Sequence, residues 1–203
     1  MSDNAQPDSR PTRRAQQALD TRQRLFSAAT RVIQRDGAGS MTLDKVAAEA
    51  SVSKGGLLHH FASKDELIVS LLNEKLGAAG DELERRAAKH QRSTGAFASA
   101  YMDYVLDPYV EITSTASSIL AAAALDDEML IDARATFAAW QQRLLDDDGL
   151  TELTALLARI VGDGLWLIDL FELASPTVEQ RTMVVEFIQS RIDRERAENG
   201  DES

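Results

Sequence analysis

Thr42-Leu43-Asp44-Lys45-Val46-Ala47-Ala48-Glu49-Ala50-Ser51-Val52-Ser53-Lys54-Gly55-Gly56-Leu57-Leu58-His59-His60-Phe61-Ala62-Ser63-Lys64 is the stretch on which the fold of this chain turns. Thr42 is a good N-cap, Asp44 suits the positive start of a helix, and Leu43, Val46, Ala47 and Ala50 fall on one helical stripe. Ser51 and Val52 then form a turn, and Ser53 caps a second short helix running through Leu57 to Phe61. Ala47 is small where the two helices are expected to cross, Val52 plugs the turn, and Leu57 and Phe61 anchor the later helix on the earlier one. Lys54, Gly55, Gly56, Leu58, His59 and His60 are left facing outward. Two short helices joined by a tight turn allow one to cross a nucleic-acid backbone while the other enters a major groove about 12 Å wide.

Upstream, Leu25, Phe26, Ala29, Val32 and Ile33 share a helical face, so a helix is expected from Thr21 to about Asp36, broken by Gly37 and Gly39. Residues 1–19 mix Pro, Ser, Asp, Gln and Arg without helical periodicity and are expected to form a flexible arm. Downstream, Ser63 and Glu66 make a capping box opening a long helix through Leu67, Leu71, Leu72 and Leu76, with Gly77 and Gly80 as candidate interruptions before His90. Further helices are expected over 94–106, 114–125, 128–147, 151–173 and 177–194, the last opened by a Thr177/Gln180 capping box. No strand candidate competes. The expected architecture is all-α: an arm (1–19), a three-helix DNA-binding domain of helix-turn-helix type (20–67), a helical regulatory and dimerisation domain (68–194) joined by the long helix, and a frayed acidic tail (195–203).

Composition narrows the function. The chain has 203 residues, 44% hydrophobic, with only 4 Pro and no Cys, which fits a helical globular protein and excludes disulfides, thiolate metal sites and a Cys nucleophile. The longest apolar run, Ile119 to Leu125, is far short of the roughly 20 residues a membrane span needs, and the polar Met1–Ala18 stretch carries no signal-peptide core. A cytoplasmic protein without membrane attachment is expected. The net charge of −11 conceals an asymmetry: residues 1–67 hold 10 Lys and Arg against 8 Asp and Glu, the remainder 12 against 25. Acidity therefore lies outside the part expected to approach phosphate. Only three His exist, two of them adjacent, and no zinc-protease motif, phosphate loop or nucleophile elbow is present. Asp126-Asp127 and Asp146 to Asp148 sit at helix breaks, where turn and cap roles account for them. No enzyme, metal site or cofactor is expected.

Met41-Thr42-Leu43-Asp44-Lys45-Val46-Ala47 and Ser53 through Leu67 resemble the tetracycline-repressor (TetR) family of bacterial regulators, at the N-terminal place and total length that family shows. The chain departs from the family pattern at the turn, where Ser51 replaces Gly, at Gly56, where Thr is usual, and at Leu58 and His59, where Tyr is usual. Ser51 in a left-handed conformation costs about 1 kcal/mol relative to Gly. Gly56 removes a hydroxyl that could bind phosphate, while the His59 ring can donate to phosphate or base. The expected interface comprises Thr42 and Lys64 as phosphate contacts at helix starts, Lys54 and His59 as groove readers, and Ser53, Gly55, Gly56, Leu58 and His60 around them. Thr42 stands equally as a plain cap, and His60 as a residue packed on the long helix.

The resemblance implies that the remaining helices dimerise and surround a small-molecule pocket. Independently, residues 151–173 are apolar on two faces, Leu153, Leu156, Ile160, Leu167 and Phe171 on one and Leu150, Leu157, Val161, Leu165 and Ile168 on the other, so this helix needs two partners. Val178, Val184, Val185, Ile188 and Ile192 extend the surface. The family's four-helix interface from 151–173 and 177–194 would make a homodimer, presenting two recognition helices to a palindromic double-stranded operator about 34–36 Å apart; a purely intramolecular core is the alternative. Asp163-Gly164-Leu165-Trp166-Leu167 resembles a segment that recurs late in some members, and Gly162 and Gly164 suit close helix approach or a pocket wall. Phe97, Tyr101, Tyr104, Phe137, Trp140 and Trp166 fall in the segments that the resemblance implies surround the ligand, and with Asp163 they are the expected ligand-facing residues for a hydrophobic or amphipathic inducer, Asp169 and Arg143 being further candidates; plain core for the aromatics and structural ion pairs for the charges are the alternatives. The expected function is a repressor released from its operator by that small molecule. A regulator controlled by a protein partner or by no ligand, or an activator, is the alternative.

Overall fold

The computed structural model describes residues 13–90, 93–107, 119–120, 123, 127–171 and 173–200. Every regular element among them is helical, and the chain divides into two compact units, Met1–Leu67 and Ile68–Ser203. No helix among the described residues is long and apolar enough to cross a membrane.

In the first unit, α1 (Arg13–Asp36) buries Leu25, Phe26, Ala28, Ala29, Val32 and Ile33. It begins at least eight residues earlier than the apolar pattern indicates, so the arm expected over 1–19 is corrected: residues 13–19 are helical. Ala15, Gln16, Gln17, Ala18 and Leu19 favour helix by propensity, and Gln16 bonds Asp20 one turn on at 3.0 Å, but this turn buries nothing and so leaves no periodicity to read. Gly37, at φ +80°, closes the helix. The expected arm residues 1–12 lie outside the described residues.

Helix α2 (Leu43–Glu49) is capped by Thr42, whose hydroxyl accepts from the Lys45 N–H at 3.3 Å, and α3 (Lys54–Leu58) by Ser53, which accepts from Gly56 N–H at 3.0 Å. The third helix is shorter than expected and stops at Leu58. Between them lies a Schellman turn: Ser51 N–H donates to Ala48 O at 3.1 Å and Val52 N–H to Ala47 O at 3.0 Å, with Ser51 at φ +56°. The left-handed conformation anticipated for Ser51 is therefore present, held by a side chain with a Cβ where Gly is the cheaper choice. Leu57 and Phe61 are fully buried, Phe61 with its ring centroid 5.5 Å from that of Phe26. The Arg22 guanidinium lies over both rings, at 5.0 and 4.7 Å.

Helix α4 (Lys64–Ala87) runs through Gly77 and Gly80 without a break, which corrects the expected interruption; both glycines sit inside a helix whose other turns bury leucines. Ser63 accepts from Glu66 N–H at 3.0 Å, but the Glu66 carboxylate reaches past Ser63 to Ala62 N–H at 2.7 Å.

The second unit continues with α5 (Ala96–Leu106), α6 (Ile131–Gln142), which passes into a wider π-type turn at Arg143–Asp147, α7 (Glu152–Leu170) and α8 (Val178–Glu198). Of the helix expected over 114–125 only Ile119, Leu120 and Ala123 are described, and they are helical. The Thr177/Gln180 capping box forms with both of its bonds. Phe97, Met102, Leu144, Ile188 and Ile192 are among the buried centre of this unit. Two helix starts are closed from far along the chain. Asp148 accepts from the N–H groups of Phe97 and Ala98 at 2.8 Å each, with burial pushing its carboxyl above the ordinary range against the pull of those two bonds. Glu195 accepts from Thr151 N–H at 2.7 Å and from the hydroxyls of Thr151 and Thr154. This corrects the tail expected from residue 195: α8 runs to Glu198 and Glu195 is buried, because its carboxylate serves the open N-terminus of α7.

Ser51→Gly is expected to raise the urea midpoint by about 1 kcal/mol of stability at unchanged m, since it relieves the Cβ in a left-handed site.

Candidate functional site

Two places concentrate chemistry, one in each unit. In the first, burial of Leu57 turns the opposite face of α3 outward, so Lys54, Gly55, Gly56, Leu58 and His59 are all exposed, as the spacing indicates. Lys54 Nζ bonds the Asp44 carboxylate at 2.9 Å. With both side chains well over half exposed, water screens this pair and a phosphate or base edge can replace the carboxylate. Thr42 and Ser53 both cap, but each does so through hydroxyl oxygen alone and keeps its proton to donate. The two roles weighed for Thr42 are thus compatible.

Lys64 and His60 are held more tightly than the outward residues. Lys64 Nζ donates to the carbonyls of Ala38 and Gly39, 3.2 Å each, tying the loop after α1 to the start of α4 and leaving one N–H over. His60 is half-buried beside His59, ring to ring at 5.6 Å, and burial first, then His59 and Arg22, hold its pKa below the ordinary histidine value. A neutral His60 can bond a base edge but brings no charge to phosphate. A Cβ on Gly56 would sit 3.2 Å from Ser53 Oγ, so the absent Thr leaves room for the cap. Sequence reading missed Arg22, because its target rings come from separate segments, Phe26 from α1 and Phe61 from the stretch after α3.

In the second unit a cavity of about 100 Å³ opens between side chains of α4, α5, α6 and α7. Tyr101, Tyr104, Phe137, Trp140, Asp163 and Trp166, all expected to face ligand, line it. Phe97 does not, and its expected place there is corrected: it sits in the first turn of α5, 1% exposed in the core, with the Arg143 guanidinium 5.4 Å over its ring. Arg143 is thereby committed to Phe97 and stands outside the lining, whereas Asp169 lies on the wall. The wall from Leu72 to Ala79 on α4 was not read from sequence, because its leucines carry the same spacing as core.

Asp163 accepts from the Tyr101 hydroxyl and, at 2.5 Å, from Arg159 Nε. Burial, then the Asp163 charge, pushes the Tyr101 pKa far up, so the phenol remains a donor. The Arg181 side chain holds the Asp169 carboxyl below its ordinary range through two bonds. A Cβ on Gly162 would overlap the Tyr101 ring, so of the two glycines singled out in this helix Gly162 marks a close approach, while Gly164 faces open space. No cluster of metal-ligating side chains occurs among the described residues.

Residues 25–71 match the profile of bacterial regulatory proteins of the tetR family, and residues 95–193 that of the tetracyclin repressor-like C-terminal domain. The chain is 26% identical over 116 residues to the HTH-type transcriptional regulator UidR of Escherichia coli K12, covering 57% of this chain and 50% of that protein. It therefore spans about half the length of that curated relative. It is 43% identical over 58 residues to the nicotine-responsive transcriptional repressor HdnoR of Paenarthrobacter nicotinovorans, covering 29% and 30% of the two chains. Among solved structures, a TetR-family member from Streptomyces coelicolor superposes with a TM-score of 0.62 at 26% identity, over 83% of this chain and 98% of that one. The chain belongs to the TetR family of helix-turn-helix, DNA-binding transcriptional regulators.

Gly162→Ala is expected to lower stability by about 1–3 kcal/mol in urea unfolding, because its methyl must displace the Tyr101 ring.

Proposed function

We propose that this regulator is a dimeric cytoplasmic repressor that leaves a palindromic operator when a small molecule fills the cavity of its second unit. One observation carries the reading: a capped recognition helix with an outward polar face and a cavity walled by aromatic side chains occur in separate units of one chain. The name of HdnoR, a nicotine-responsive repressor, supports the same division of labour.

Dimerisation is supported by large apolar side chains that the described chain leaves exposed. Leu153, Ile160 and Leu167 recur every seven residues on one face of α7, followed by Phe171, and Val184 and Phe187 stand on α8; Leu153, Ile160 and Phe187 are each 60% exposed or more. The other apolar side of these helices, with Leu165, Val185, Ile188 and Ile192, packs inside the unit. Met183 and Phe187 enlarge the outward face beyond what the sequence reading included. A second copy would cover it as an isologous interface. On the DNA side, Lys54 and His59 read bases while Thr42, Ser53 and the remaining Lys64 N–H hold phosphate, with Gly55, Gly56, Leu58 and His60 completing the surface.

The operator is to be sought in the DNA flanking the gene. Lys54→Ala is expected to cost about 1–3 kcal/mol on the operator and to relax preference at one base position, by competition between operator variants. Lys64→Ala is expected to weaken operator and random DNA alike and to flatten the log–log salt slope by about 1; an unchanged slope would leave Lys64 with its loop-tying role alone. Phe187→Glu is expected to yield a monomer by light scattering and to reduce operator affinity at least about a hundredfold, through loss of the second half-site. A folded variant that stays dimeric excludes this face as the interface.

A further inference from the structure

The positive charge of the first unit lies ahead of its helix-turn-helix. Residues 13–24, the first half of α1, carry 4 Arg against 1 Asp, whereas the rest of residues 1–67 carries 6 Lys and Arg against 7 Asp and Glu. The described cations of that remainder are also engaged. Arg31 and Arg35 bond Glu49, Lys45 bonds Asp36, Lys54 bonds Asp44, and Lys64 donates to two carbonyls. Arg10 lies outside the described residues. A unit that must approach a polyanion therefore has little net attraction to offer from α2 and α3.

Arg13 and Arg14 are in the opposite condition: both are exposed, and no carboxylate among the described residues pairs with either. Arg24 bonds a neutral group, the Thr21 hydroxyl, at 3.4 Å, and Asp20 accepts from Gln16 at 3.0 Å. The helix also fixes where these arginines stand. Arg22 lies over the Phe61 ring, just past the end of α3, and its charge helps hold down the His60 pKa, while further along α1 Arg31 and Arg35 reach Glu49 of α2. The turns before Arg22 thus run on past the C-terminal end of α3, and Arg13 and Arg14 stand about 12–13 Å beyond Arg22 along the axis. Arg14 and Ala18 continue the stripe of Arg22 turn by turn, with nothing buried beneath them.

We propose that the first turns of α1 are a second DNA-contacting element, a stiff basic arm whose Arg13 and Arg14 bind backbone phosphates beyond the bases faced by α3 and supply a larger share of the salt-dependent attraction than Lys64 does. Duplex DNA fits this surface because guanidinium forks match phosphate oxygens and because the arm is continuous with the exposed end of the recognition helix in the same unit. Being helical already, the arm loses little backbone freedom when it binds. The proposal rests on the helix-turn-helix unit engaging DNA.

Binding of the full chain to a random-sequence DNA duplex is measured by fluorescence anisotropy from about 50 to 200 mM salt, random DNA being the probe because phosphate contacts carry no sequence information. Arg13→Ala/Arg14→Ala is expected to weaken binding at least about tenfold at the low-salt end and to flatten the log–log salt slope by about 2, nearly one for each phosphate released. Neither side chain is buried, so the urea midpoint is expected to stay at the parent value. Arg13→Lys/Arg14→Lys, which keeps both charges, is expected to retain the slope. Arg85→Ala/Arg134→Ala removes the same charge from exposed positions of the second unit and is expected to leave the slope unchanged. An unchanged slope in Arg13→Ala/Arg14→Ala, or equal flattening by the Arg85/Arg134 pair, overturns the arm and leaves the helix-turn-helix reading intact. A parent chain that binds no DNA anywhere in the range removes that reading and the arm together.

Discussion

A five-residue helix carrying two adjacent glycines has no stability of its own, and the DNA-reading part of this molecule depends on how that is overcome. Helix α3 is held from outside. Its one inward side chain, Leu57, and the following Phe61 are fully buried, Phe61 meets Phe26 from α1, and Arg22 covers both rings. Ser53 closes one end, and the Schellman turn at Ser51 sets the direction in which the helix leaves α2. The outward side chains of α3 take no part in that core, and Gly55 and Gly56 leave bare backbone on the exposed side.

The motif was legible because it is local. Caps at Thr42 and Ser53, the small Ala47 at the crossing and the anchors Leu57 and Phe61 are written within twenty residues and obey spacing rules that need no knowledge of the rest. What escaped was whatever a distant segment completes. Residues 13–19 turn helical without burying anything, Arg22 works on rings 35 residues apart in the chain, Phe26 and Phe61, and the carboxylates that close α5 and α7 arrive from 51 and 44 residues along the chain. Lys64 shows the same limit: a helix start invites an anion, yet the side chain bends to two carbonyls of an earlier loop.

The cavity illustrates a different limit. Tyr101, Tyr104, Phe137, Trp140 and Trp166, singled out from the segments that the family resemblance places around a ligand, line the cavity, but Phe97, on the same stripe as Tyr101 and Tyr104, is sealed into the core one turn earlier. Periodicity fixes the face of a helix and is silent on where along that face packing gives way to space. The acidic character of this unit is similarly opaque in a sum of charges. At the cavity, Asp163 and Asp169 each meet an arginine, one from the same helix a turn away and one from the next helix, so a strongly negative sequence presents a wall of matched pairs.

The long-range closures at Asp148 and Glu195 have a consequence for how the protein comes into being. Synthesis produces α5 first, yet its opening amides find their carboxylate only after the turn that follows α6 is made, and α7 waits for Glu195, near the end of α8. The second unit is in this sense tied backwards, with late residues finishing early helices. A nascent chain would carry its helix-turn-helix unit complete, with caps and core drawn from neighbours, well before the second unit could settle around its final helix. Order of emergence from the ribosome thus separates the completion of the two units in time as the fold separates them in sequence.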